Sequence, residues 1–280
     1  MKPGLVATLA LSFSLAVTTP THSGAKGMDT IDLDIGKNIN DTARKSGAPR
    51  FATETHWGAT FYEIVDMPLD IAVRFGRAGH DITAQSIFSL TMFADSRNNN
   101  DLAVEHIALQ FSRHAAKTHN EAREMIDTLI AQFRKGQWKR HIPPNCPAVS
   151  GRSAYLDEAG QLEANCPLDP AYRIPADDWL EIMQMPQTYE WLGDGVVARL
   201  QIKYDQSGTN VQYDINLDFQ DFTIEQQRNA SKKARELAEG DAKGWNSTKN
   251  HHSDMAATIL KVKSLEARAV ERGDHVVPRD

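Results

Sequence analysis

Residues 211–220 read Val-Gln-Tyr-Asp-Ile-Asn-Leu-Asp-Phe-Gln. Val211, Tyr213, Ile215, Leu217 and Phe219 fall on one side of an extended chain, and Gln212, Asp214, Asn216, Asp218 and Gln220 on the other. This two-residue period marks a strand packed on one face and wet on the other. Such a strand belongs to an antiparallel sheet, because parallel sheets are covered on both faces and read as unbroken apolar runs. Outward from it, residues 189–192 and 197–204 are also strand-like. The turns between them, Gly-Asp-Gly at 193–195 and Asp-Gln-Ser-Gly at 205–208, are too short for anything but antiparallel neighbours. The polar face of this meander is expected to be solvated or to await a partner.

Before the meander, residues 118–136 carry the strongest helical signal. Thr118 and Glu121 form a capping box, in which the hydroxyl takes the amide of the third helical residue and the carboxylate reaches back to the cap. Ala122, Met125, Ile126, Leu129, Ile130 and Phe133 recur at three- and four-residue steps and predict one apolar face. Gly136 is read as a left-handed stop. A second helix is expected from Pro175, with Asp177 and Asp178 complementing its dipole and Trp179, Ile182 and Met183 pointing inward. Residues 137–142 read as a strand. Residues 143–170 form a loop punctuated by Pro and Gly that holds both cysteines, with 154–157 as one arm of a small hairpin.

Toward the N-terminus, four strand-like runs at 56–66, 69–75, 82–94 and 102–111 are separated by short turn chemistry, which predicts a first meander. Trp57, Ala59 and Phe61 are read as sharing a core face of one strand. After residue 222 the chain changes character. Thr223 opens a second capping box and a helix running to Glu239, residues 240–250 read as a linker, and Ser253 starts a final helix with a thin stripe of Met255, Ile259, Val262 and Val270. The expected fold is α+β: antiparallel β meanders with helices packed on one face, one disulfide and C-terminal helices. The order of elements points to a distant internal duplication, without a residue-level repeat. The expected divisions are a signal peptide at 1–25, a helix plus meander at 26–117, helices with the disulfide loop and second meander at 118–222, and a helical extension at 223–280.

The first segment carries a short positive start, Met1-Lys2, an apolar run at 4–17 and small residues Ser23-Gly24-Ala25 before Lys26. This is the pattern of a cleaved secretory signal, and the run is too short to span a bilayer comfortably. The mature chain is therefore expected to be periplasmic or secreted, without stable membrane insertion. There Cys146 and Cys166 most simply pair, closing a loop of about twenty residues worth roughly 3 kcal/mol in the chain-entropy picture. A zinc site is the competing reading, poorly served by two cysteines without a Cys-x-x-Cys. A hydrophobic content of 41%, a charged content of 24% and a net charge of -6 describe ordinary globular material and speak against nucleic acid as a partner.

Residues 31–49 read as an extended entry, a short helix at 39–46, a closing Gly47 and a Pro49 that prevents continuation. A strand-like Ile35-Gly36, a short helix and the exit Gly47-x-Pro49 resemble the opening of the small outer-membrane assembly lipoproteins of the BamE or SmpA/OmlA type, and of the related β-lactamase inhibitor proteins. The resemblance covers about a tenth of the chain. It implies an envelope protein that works by binding. No lipidation cysteine follows the leader, a departure from the lipoprotein pattern.

Motifs of catalysis are sparse. The ten histidines include no His-Glu-x-x-His, and the closest grouping, His251-His252 with Asp254, reads as a solvated helix cap. Gly151-Arg152-Ser153 lacks the second glycine and following helix of a nucleophile elbow. The acidic pairs Asp157-Glu158, Asp177-Asp178 and Asp218 with Asp221 read as solubility or dipole residues. No cofactor is implied. The candidate partner-binding residues are Tyr189 and Trp191 beside the 193–195 turn, with Asp194, Asp205, Asp214 and Asp218 as an acidic surface suited to a basic cleft. The expected function is thus a non-catalytic protein-binding module, most specifically an inhibitor or immunity protein neutralising a basic-surfaced antibacterial effector. The alternatives are an envelope-assembly or surface-structural factor with the C-terminal helices as contact arms, and a hydrolase assembled from distant residues such as His141.

Overall fold

A computed structural model describes residues 30–48, 50–98, 100–163, 165–205 and 210–279. The expected leader, the stop at Pro49 and most of the 205–208 turn lie outside these residues. In chain order the elements are β1 (Thr30–Leu33), α1 (Ile39–Lys45), β2 (Ala52–His56), β3 (Ala59–Ile64), β4 (Ala72–Phe75), β5 (Ile82–Ala84), β6 (Ile87–Asp95) and β7 (His106–Phe111). They continue with α2 (His119–Lys135), β8 (Lys139–Arg140), α3 (Ala176–Ile182), β9 (Gln187–Gly193), β10 (Val196–Asp205), β11 (Gln212–Asp221), α4 (Phe222–Ala242) and α5 (Ser247–Glu271). The fold is α+β.

The two meanders form one eight-stranded antiparallel sheet, in the order β2-β3-β6-β7-β11-β10-β9-β8. They meet where Ile107 of β7 faces Phe219 of β11. Each half runs in chain order from an outer edge to this seam, the layout that a duplicated meander would have. A smaller sheet, β1-β4-β5, includes the parallel pair β1–β4.

One face of the large sheet is the core. Along β11, Tyr213, Ile215, Leu217 and Phe219 are buried while the alternate residues are half-buried, as the period of two requires. The small sheet packs on this face, with Phe75 stacked on Phe219 at 4.1 Å between ring centroids. Beside it lies α2, whose Phe133 stacks on Trp191 of β9 at 3.9 Å. Trp138 fills the angle between these layers, touching Phe75, Phe133 and Phe219 and donating its indole N–H to the His80 carbonyl at 3.1 Å. Gln132 fastens α2 to the edge of the small sheet: its amide oxygen accepts from Thr83 N and its amide nitrogen donates to Thr83 O, both at 2.8 Å.

Local expectations need six corrections. The run 82–94 is two strands, β5 in the small sheet and β6 in the large one, parted at Gln85-Ser86, where Ser86 has a φ of 59. The run 56–66 is not one strand, because Trp57 and Gly58 form a tight turn between β2 and β3, both at positive φ. Gly136 ends α2 at φ -79 rather than in the left-handed region; a Cβ there would lie 3.1 Å from the Gly79 carbonyl, so the glycine serves close approach. Glu121 accepts from the amide of Lys117 at 2.6 Å, one residue before the Thr118 cap. Asp221, not Thr223, caps α4 by accepting from Ile224 N at 2.9 Å. Finally, α5 starts at Ser247, so the linker shrinks and His251 and His252 lie inside the helix.

Candidate functional site

The second meander encloses two of the expected partner-binding residues instead of displaying them. Tyr189 and Trp191 are each 2% exposed, because the alternation of β9 turns Gln187, Tyr189, Trp191 and Gly193 toward α2. Their ring faces are core surface and are not available to a partner. The acids expected as a free patch have internal partners. Asp194 lies 3.5 Å from Arg77, Asp205 and Asp214 lie 3.6 and 2.7 Å from Arg113, and Asp218 lies 3.1 Å from His106. A mixed-charge polar face replaces the expected acidic one.

Cys146 and Cys166 form the disulfide, with Cα atoms 5.6 Å apart. Their loop shields the β8 side of the large sheet. Leu168 N donates to Thr188 O of β9 at 2.8 Å, and Arg140 of β8 donates to Val149 O at 2.7 Å. The end of α5 and the residues after it lock the loop further. Asp274 accepts from Ser153 N at 2.9 Å, Glu266 accepts from Ala148 N at 2.9 Å, and Val276 bridges to Val149. Within the loop, Arg152 and the Tyr155 hydroxyl converge on Asp178, holding its carboxyl below the usual range.

The opposite end of the sheet has no such cover. All five residues of β2, Ala-Thr-Glu-Thr-His, are exposed, and β2 pairs only with β3. The turn that closes this hairpin carries Trp57, 91% exposed, at φ 52, with Gly58 at φ 88. Positive φ at both central residues is the turn usually filled by Asn-Gly or Asp-Gly. A bulky residue there is strained, and this one gains no burial in return. Because a two-residue turn makes His56 and Ala59 a hydrogen-bonded pair, Glu54 and Ala52 also bond to β3, and the amides of Thr53 and Thr55 point outward. The edge carries no proline, lysine or bulge to blunt it.

The polar face of the large sheet is crossed at one end by the first turns of α4. Glu225 meets Arg199 of β10 at 2.8 Å, and Arg228 meets Glu105 at 2.8 Å and lies over Phe93. Burial raises the Glu105 carboxyl above its ordinary value despite the hydrogen bond from Asn98 and the charge of Arg228. Beyond these turns α4 is almost wholly exposed. Its connection to α5 is tight, since a Cβ at Gly240 would overlap the Ser247 hydroxyl. Trp245 at the bend, and Met255, Ile259 and Leu260 on α5, are exposed apolar side chains. The helical arm therefore presents unpacked apolar surface, which sequence periodicity had signalled only as a thin stripe.

His141, central to the hydrolase alternative, packs edge-on against Phe222, and its ring bonds to no carboxylate among the described residues. His106 and Asp218 form a His–carboxylate pair on the open polar face. Among the described residues no group of three or more His, Cys, Asp or Glu side chains is placed to hold a metal ion, and no helix is long and apolar enough to cross a membrane.

Sequence reasoning passed over Thr53 and Thr55 at the open edge and misassigned Trp57, which was expected on a core strand face with Ala59 and Phe61 but stands exposed in the turn. The available signal was the dipeptide Trp57-Gly58 between two runs of β-forming residues, whose glycine marks a turn. No family model, no characterised protein and no solved structure matches this chain.

Proposed function

We propose that this chain is an exported, periplasmic protein-binding module without catalysis of its own, and that it takes an extended segment of another protein onto the free edge of β2. The observation that carries the reading is the fully exposed edge strand, with a solvated tryptophan held in a strained turn at its end. Outward amides and carbonyls in a row are complementary to a strand and to little else, and an exposed tryptophan is a frequent energetic anchor of protein interfaces. The partly open polar face beside it, with charges of both signs, supplies the rim that such contacts use. The most specific form of the proposal is an inhibitor or immunity protein that neutralises an effector enzyme reaching the envelope. The resemblance of the opening residues to envelope assembly and inhibitor proteins supports that direction.

The test uses a purified exported effector, chosen first from any encoded beside this gene. Purified full-length chain should bind the purified effector and protect cells from it. Thr53→Pro, which removes an outward amide without breaking a bond to β3, should abolish both while leaving the fold intact. Undiminished binding by Thr53→Pro and Trp57→Ala together would refute the edge as the docking site.

A second reading, an envelope-assembly factor, is favoured by the exposed Met255, Ile259 and Leu260 of the arm. Under it, replacing these three residues with serine abolishes partner binding and Thr53→Pro does not.

A further inference from the structure

On the side of α2 away from the small sheet lies a cleft of about 330 Å³, between α2, residues 170–174 and the start of α3. Its charge runs against that of the molecule. The chain carries -6 overall, yet Arg123, Arg134 and Arg173 all line this cleft, with Asp127 as the one carboxylate among the lining residues. Asp127 is taken by Arg173 at 3.1 Å, which leaves Arg123 and Arg134 without an ion-pair partner among the described residues. Arg123 is fixed in place: it donates to the Ile174 carbonyl at 2.6 Å and lies over the Trp179 ring at 5.3 Å from its centroid. Arg134 makes no hydrogen bond or ion pair among the described residues.

Tyr189 adds a donor to this cleft. It forms part of the cleft wall, and although the residue as a whole is 2% exposed, its hydroxyl is not closed off from solvent and makes no hydrogen bond among the described residues. Burial pushes this hydroxyl's pKa up, so it remains a donor. Around it Ile130, Pro170 and Tyr172 supply flat apolar wall. The volume is at the small end of the roughly 300–1,000 Å³ common for ligand sites.

We propose that this cleft binds a small organic oxyanion, a phosphomonoester or carboxylate borne on a flat apolar body. The anion would sit between the free N–H groups of Arg123 and Arg134 and take the hydroxyl proton of Tyr189 in a hydrogen bond. Guanidinium groups match such anions by pairing two N–H donors with two oxygens. The spacing of Arg123, Asp127, Ile130 and Arg134 along one face of α2 builds the positive wall from a single helix.

Titration calorimetry of the full-length protein with phenyl phosphate, benzoate and inorganic phosphate tests this. Phenyl phosphate or benzoate should bind, and whichever is tighter identifies the headgroup. Inorganic phosphate should bind at least fivefold more weakly than phenyl phosphate. Arg134→Gln, at an exposed position, should weaken binding at least tenfold with an unchanged melting temperature, and Tyr189→Phe should weaken it severalfold. The absence of binding by both aromatic probes, or affinities that Arg134→Gln and Tyr189→Phe leave unchanged, would overturn the proposal. Neither result bears on β2, because no residue of that edge lines the cleft.

Discussion

The two ends of the eight-stranded sheet receive opposite treatment. At the β8 end, a disulfide loop, a half-buried arginine and the C-terminal segment after α5 all converge to cover the outer strands. At the β2 end, five exposed residues and a solvated tryptophan are left bare. Exposed edges are a hazard for unwanted pairing, and proteins ordinarily blunt them. A chain that invests a cross-link and its own C-terminus at one edge has the means to protect an edge. Leaving the other open is therefore informative about use.

Four substitutions break or sharpen this contrast. Phe133→Ala removes the ring stacked on Trp191 beneath the covered half and should cost about 3–5 kcal/mol, read as a fall in the denaturation midpoint. Replacing Cys146 and Cys166 by serine should cost roughly 3 kcal/mol by releasing the covering loop, and hydrogen exchange should then rise at β8 and β9 but not at β2. Asp178→Asn weakens the Arg152 and Tyr155 contacts within that loop and should cost about 1 kcal/mol at neutral pH, discounted because Arg152 is half-exposed. The folded protein holds Asp178 below its ordinary value of 3.8, so its contribution is present above that pH and disappears as acid carries the solution through the lowered value. The wild-type and Asp178→Asn stabilities should accordingly converge in acid, as followed by thermal melts across pH.

The smallest expected effect has the opposite sign. Trp57→Asn puts a residue suited to left-handed backbone into the open turn and should stabilise the protein by about 0.5–1 kcal/mol, while impairing capture of a partner. Gain of stability with loss of binding is the signature of a residue kept for contact. A loss of stability would assign Trp57 to the fold.

How far the sequence could be read depended on the range of the interactions involved. The alternation of residues 211–220 was legible because one face is packed and the other wet, and the Thr118 cap because its partners lie within one helical turn. The pairing of Cys146 with Cys166 followed from their being the sole cysteines. The start of α4 was misplaced because two candidate caps, Asp221 and Thr223, stand two residues apart and only geometry selects between them. The turn at Trp57 was hidden because tryptophan carries no turn signal of its own. The basic cleft could have been half seen as Arg123 and Arg134 on one face of α2, but Arg173 and Tyr189 arrive from other segments.

The seam between β7 and β11 also decides when the molecule can be completed. Until Phe219 arrives opposite Ile107, the first meander holds Leu109 and Phe111 on an unfinished hydrophobic surface. Joining strands so distant along the chain requires a large loss of loop entropy before any contact compensates it. Assembly should therefore be slow, on the order of milliseconds to seconds, with the closing of the seam as its late step.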